Sequence, residues 1–150
     1  MYQNVADTYR QANYNTANPI KLVIMCYDGA ISSLKLARES YKAKNYEAKA
    51  KALQKAIDII HEMNISLDLE KGGTIAKNLR SLYLYMISIL TEADAKKNIH
   101  LFDEVIRMLE ELESAWKEIA HGGIAESRNA TYAMPASDRK ASSVSQAWSV

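Results

Sequence analysis

The chain has little from which to build a covalent or catalytic framework. Among its 150 residues are one cysteine, two prolines, five glycines and three histidines. A single thiol forms no internal disulfide. Set inside the run Leu22-Val23-Ile24-Met25-Cys26-Tyr27 with no histidine nearby in sequence, Cys26 reads as a small buried hydrophobe, not a reactive nucleophile. Neither charge sign is in excess: Lys and Arg number 19 against 18 for Asp and Glu. No global field therefore draws the chain to nucleic acid or to an anionic membrane. No stretch approaches the roughly 20 apolar residues that span a bilayer, and residues 1–18 are polar, with no hydrophobic signal core. The expectation is a cytoplasmic protein that binds through shape and apolar surface. No segment alternates with period two over a useful length, which removes strands.

Catalytic patterns are missing too. There is no nucleophile elbow and no phosphate-cradling glycine loop. A di-metal bundle needs two inward Glu-x-x-His motifs and two further glutamates. Only Glu118-Ile119-Ala120-His121 fits, and it stands at a helix end beside a double glycine. His61 lacks the basic residue and glycine that follow a phosphorylatable histidine in phosphotransfer bundles. Glu110, Glu111 and Glu113 read as a solvated helix face. The expectation is no enzyme, no metal and no other cofactor.

What is present is helical periodicity. Hydrophobic residues make up 48% and charged residues 25%, ordinary for a globular domain, and the length fits one domain. Pro19 at a first helical turn, with Asn18 as cap, starts a helix running to about Lys44. Its apolar residues Ile20, Ile24, Tyr27, Ile31, Leu34 and Tyr41 recur at helical spacing. Asn45 breaks it, and a second helix covers about Tyr46 to Leu69. Gly72 and Gly73 are expected to end that helix. A third carries Ile75, Leu79, Leu82, Tyr83, Met86, Leu90 and Ala93. After Asn98 a fourth runs from about Ile99 to Ala120 and stops at Gly122-Gly123. Short connections favour antiparallel neighbours, so the expected fold is all-α, an antiparallel up-down four-helix bundle over residues 19–121.

Two segments fall outside that bundle. Residues 1–18 hold Tyr2, Val5, Tyr9 and Tyr14 among polar residues, an arm with apolar handles. Residues 122–150 are rich in Ala and Ser, with isolated Tyr132, Met134, Val144 and Trp148. That composition reads as a flexible tail, or as a segment whose apolar residues pack on the bundle's own groove or a neighbour's.

The helices also carry more apolar surface than one stripe requires. Leu82, Tyr83, Tyr85, Met86 and Ile89 on the third helix, with Ile59, Met63 and Ile65 on the second, span more than one face. Methionine adapts to varied shapes and tyrosine gives large contact area at low entropic cost, so the set suits a peptide groove. Each residue taken alone is equally well explained as core.

Three blocks, in order, point to a family. They are Thr16-Ala17-Asn18-Pro19 leading into Tyr27-Asp28-Gly29-Ala30; Gly72-Gly73-Thr74-Ile75-Ala76-Lys77-Asn78-Leu79-Arg80-Ser81-Leu82-Tyr83-Leu84-Tyr85-Met86; and Ala115-Trp116. Together they resemble the FliS family of flagellar secretion chaperones over roughly residues 1–120. The resemblance implies a cytoplasmic chaperone that uses no nucleotide or metal. It would bind the disordered C-terminal segment of flagellin, which folds into helices on the bundle, preventing premature polymerisation and aiding delivery to the type III export apparatus. It implies a groove on helices two to four, here Ile59, Met63, Leu82, Tyr83, Tyr85, Met86 and Ile89, with Val5 and Tyr9 in the arm as its cap and Tyr83 as a partly exposed wall. The export apparatus or a regulatory protein sharing the groove are further partners of the kind implied, and a weak homodimer is compatible with it. The tail departs from the family, whose members stop soon after the Ala-Trp helix. The competing reading is a bundle that uses its apolar stripes for self-association, as a structural or adaptor protein.

Overall fold

The structure, a computed structural model, describes residues 19–122. These form four helices, α1 (Pro19–Lys42), α2 (Tyr46–Ile65), α3 (Leu69–Lys96) and α4 (His100–His121), and no strand occurs among the described residues. Each junction has a local cause. Asn45 caps α2, its side-chain oxygen accepting from the backbone N–H of Ala48 at 3.2 Å, while Lys44 turns the chain with φ 61°. Lys97 ends α3 in the left-handed conformation, its N–H directed to the carbonyls of Ala93 and Asp94. The Asn98 side chain then accepts from the N–H of His100 at 3.1 Å. Such contacts satisfy groups that a helix end leaves without partners.

The second junction differs from the sequence expectation. α2 ends at Ile65 rather than near Leu69, and α3 begins before the double glycine, not after it. Asp68 caps α3, accepting from Glu70 N–H at 3.1 Å and Lys71 N–H at 2.9 Å. A carboxylate at a helix start is favoured both as acceptor and by the helix dipole. The glycines act inside α3. Gly73 takes φ 56° and ψ −134°, a backbone state that side chains rarely adopt, and kinks the helix one turn after its start.

The helices close into a ring. α1 packs on α2 and α4, and α3 packs on the same two from the opposite side. The α1–α2 pair is the most extensive contact and α3–α4 the least of the four. Buried small residues, Ala30, Ser33, Ala37 and Ser40 in α1 with Ala52 and Ala56 in α2, permit the close α1–α2 approach. Antiparallel order shows in the contacts that cross between helices. Arg38 near the end of α1 donates to Asp103 near the start of α4 at 2.8 Å. Lys49 at the start of α2 pairs with Asp94 at the end of α3. The Tyr41 hydroxyl in α1 donates to the Lys97 carbonyl at 3.3 Å.

The core runs down the centre of the ring. Tyr27, Leu34, Ile60, Tyr83, Met86, Leu90, Val105 and Leu109 are fully buried in it. Each large side chain of this kind contributes roughly 1.5–3 kcal/mol of transfer free energy, set against the entropy of ordering it. The expected all-α bundle is therefore the observed fold.

Candidate functional site

α3 separates the bundle's closed side from its open side. Its inner face buries Ala76, Leu79, Tyr83, Met86, Leu90 and Ala93, while Leu82, Leu84 and Tyr85 remain 37%, 45% and 52% exposed. Leu82 lies on the same flank of α3 as Ile75 and Ile89, at seven-residue spacing, so the three form a row beside the core. The Tyr85 hydroxyl, directed to Glu104 of α4 at 3.5 Å, fixes which neighbour that flank faces. On α4 the matching residues are Leu101, Met108, Leu112 and Ile119, all half-buried against the core. Exposed Leu82 and Tyr85 with the half-buried row of α4 make a shallow apolar groove along the α3–α4 seam. Leu84, with half-buried Ile87, points to the other flank of α3, toward α2.

The sequence-derived site residues divide on this geometry. Leu82 and Tyr85 stand at the groove surface. Ile59, Met63, Tyr83, Met86 and Ile89 are instead between 0% and 5% exposed, so they form the floor and core behind it. The expectation that Tyr83 is a partly exposed wall is corrected: it is fully buried, and its hydroxyl meets that of Tyr27 at 2.6 Å. Val5 and Tyr9 lie outside the described residues. Met108, Leu112 and Leu101 were missed as groove residues. The seven-residue spacing of Leu101 with Met108, and of Leu112 with Ile119, marks a second flank of α4 that a single-stripe reading absorbs into the core.

Behind the groove sits a polar node joining three helices. Tyr27 of α1 meets Tyr83 of α3 and also bonds Trp116 of α4, whose indole can only donate. Burial raises both phenols: Tyr27 to about 12, although the hydrogen bond from Tyr83 opposes the shift, and Tyr83 well above the usual tyrosine range. Burial likewise pushes Cys26 up to about 12, with the negative charge of Glu62 adding to the effect. Neither the phenols nor the thiol ionise near neutral pH, and the node is structural. Among the described residues no cluster of three or more metal-type ligands occurs, and no described helix is long and apolar enough to cross a membrane.

The carboxylates of α4 fall into two classes. Toward α1, Asp103 pairs with Arg38 at 2.8 Å and Glu110 with Lys35 at 3.7 Å. Buried Glu113 pairs with Lys117 at 3.3 Å. Its carboxyl is raised first by burial and next by a hydrogen bond with the Asp28 carboxyl, against the pull of Lys117. The other Glu113 oxygen accepts no N–H or O–H among the described residues. On the other side of α4, the Glu104 carboxylate accepts from the Tyr85 hydroxyl of α3 at 3.5 Å, while Glu111 and Glu118 follow it at seven-residue spacing on the exposed outer face of α4.

The bundle, its groove and its motif blocks agree with what comparison to known proteins finds. The family model described as flagellar protein FliS matches residues 1–123. This chain belongs to the FliS family. It is 42% identical over 106 residues to the flagellar secretion chaperone FliS of Salmonella typhimurium, covering 70% of this chain and 78% of that protein. With the Vibrio cholerae flagellar secretion chaperone FliS it shares 38% identity over 105 residues, 70% of this chain and 77% of the relative. With that of Bacillus subtilis it shares 30% over 116 residues, 77% and 86% respectively. FliS membership supports a flagellar export chaperone, and a chaperone family fits a role without catalysis. The FliS match stops at residue 123, so residues 124–150 lie beyond it.

Proposed function

We propose that this protein binds the disordered C-terminal segment of flagellin along its apolar grooves, chiefly the one between α3 and α4, and holds the subunit unpolymerised for export in the cytoplasm. The observation that carries the reading is Leu82 and Tyr85, exposed at the lip of a half-buried apolar channel, in a chain of the FliS family. Binding of this kind is helix-in-groove recognition coupled to folding. The ligand's apolar burial must exceed an ordering cost of about 2–5 kcal/mol or more. Leu82 and Tyr85 meet the ligand. Ile59, Met63, Tyr83, Met86 and Ile89 support the surface from beneath and reach a ligand only if the helices part. Val5 and Tyr9 serve as a cap that the ligand displaces. The same groove offers a site for the export apparatus or a regulatory protein.

The test is calorimetric titration of the full chain with a flagellin C-terminal segment from the same organism, with circular dichroism on the same samples. The expected result is binding with a negative heat-capacity change and a gain of helix. Absence of binding at micromolar concentration, together with a dimer in sedimentation, would overturn it in favour of the self-associating adaptor.

A further inference from the structure

The α3–α4 seam carries an apolar strip, with Leu82 and Tyr85 exposed on it beside the half-buried Leu101, Met108 and Leu112. Such a strip suits an occupant with apolar side chains at intervals. Residues 124–150 have that composition. They carry Tyr132, Met134 and Trp148 among small and polar residues.

Position agrees with composition. The segment leaves the bundle at Gly122, at the end of α4, and antiparallel packing puts the start of α3 at that same end. It therefore emerges at one mouth of the groove. Glu104, opposite Tyr85, precedes Gly122 by eighteen residues of helix, about 27 Å at 1.5 Å per residue. An extended chain of about eight residues covers that span, so Tyr132 and Met134, ten and twelve residues beyond Gly122, reach the Leu82–Tyr85 stretch with slack. Attachment through so short a connection keeps the local concentration of the segment in the millimolar range, so contacts too weak to hold a free peptide suffice for a tethered one.

We infer that residues 124–150 are an intramolecular occupant of the α3–α4 groove, with Tyr132 and Met134 over Leu82 and Tyr85. The segment lies beyond the family match. Docking itself rests on the groove alone; competition with an export client rests also on the function proposed above.

The experiment uses the full chain. Ser137→Cys introduces a second thiol for a nitroxide label, and buried Cys26, pushed up to about 12, stays unlabelled. Amide signals of the isotope-labelled protein are then compared with the nitroxide oxidised and reduced. The expected result is strong broadening at Leu82, Tyr85 and Met108, none at Lys51 and Lys55 on the outer face of α2, and loss of the effect in Tyr85→Asp. Broadening that is absent, or spread evenly over all helices, overturns the inference. So does broadening that appears only when spin-labelled and isotope-labelled molecules are mixed, because the occupant would then be a neighbour's segment. Adding the flagellin segment separates the two proposals. A nitroxide signal in the groove that flagellin fails to displace sustains the docking and counts against the client. Flagellin binding without any groove signal does the reverse.

Discussion

The two sides of α4 are built on opposite plans. Toward α1 it is fastened: Asp103 to Arg38, Glu110 to Lys35, Glu113 to the Asp28 carboxyl. Toward α3 it meets half-buried aliphatic side chains across a sparse contact, with one long polar interaction at Tyr85. Exposed ion pairs contribute little each, so the fastened seam gains geometry more than stability, holding α1 and α4 in register. The α3–α4 seam is less closely packed, and α3 is anchored from within through Tyr83 and its bond to Tyr27.

Breaking the anchor gives the largest effect. Tyr83→Asp puts a carboxylate at a fully buried site and is expected to cost about 4 kcal/mol or more, enough to unfold a domain of ordinary stability. Circular dichroism against urea measures it, and a folded variant deficient only in binding would return Tyr83 to the groove wall. Trp116→Ala removes a buried aromatic from the same node and should cost about 3–5 kcal/mol; a loss under about 1 kcal/mol would contradict its burial. On the open side the sensitivities reverse. Tyr85→Asp should leave stability within about 0.5 kcal/mol and weaken the flagellin segment about tenfold or more, or about 1.4 kcal/mol, in the same calorimeter. Equal losses of stability and binding would erase the distinction between the seams.

Glu113 sharpens the comparison through pH. Its folded carboxyl is raised above the ordinary 4.5, so its stabilising contribution is complete below that value and is lost as pH rises through the folded value. Glu113→Gln keeps a donor toward Asp28 at every pH. The variant should gain up to about 1 kcal/mol on the wild type at neutral pH and lose that advantage near pH 4. Urea midpoints across that range decide it; parallel curves would mean that the Glu113 carboxyl titrates alike in the folded and unfolded chain.

Much of this was legible in the residues. Four helices, the break at Asn45 and the stops near Asn98 and at Gly122 follow from periodicity and punctuating residues. The α2–α3 junction did not, because a double glycine outweighs an aspartate as punctuation in sequence, whereas in three dimensions the Asp68 carboxylate satisfies two amides and starts the helix first. Site residues were harder. Leu82, Tyr83, Tyr85 and Met86 all belong to a broad apolar band, and spacing alone does not say where its centre lies. The partners decide it: Tyr27 takes Tyr83 inward, and Glu104 holds Tyr85 at the rim.

Gly73 has a further consequence, in handedness. Its φ of 56° and ψ of −134° are the mirror image of an ordinary extended residue, and a methyl group there would meet nothing within 4 Å. The position therefore excludes L-residues by chirality and not by crowding. A D-alanine introduced by chemical ligation would sit in its own preferred basin, and by narrowing the unfolded ensemble should stabilise the bundle by about 0.4–1 kcal/mol, while L-alanine at the same place destabilises it. At this bend glycine serves as the one coded residue without a hand.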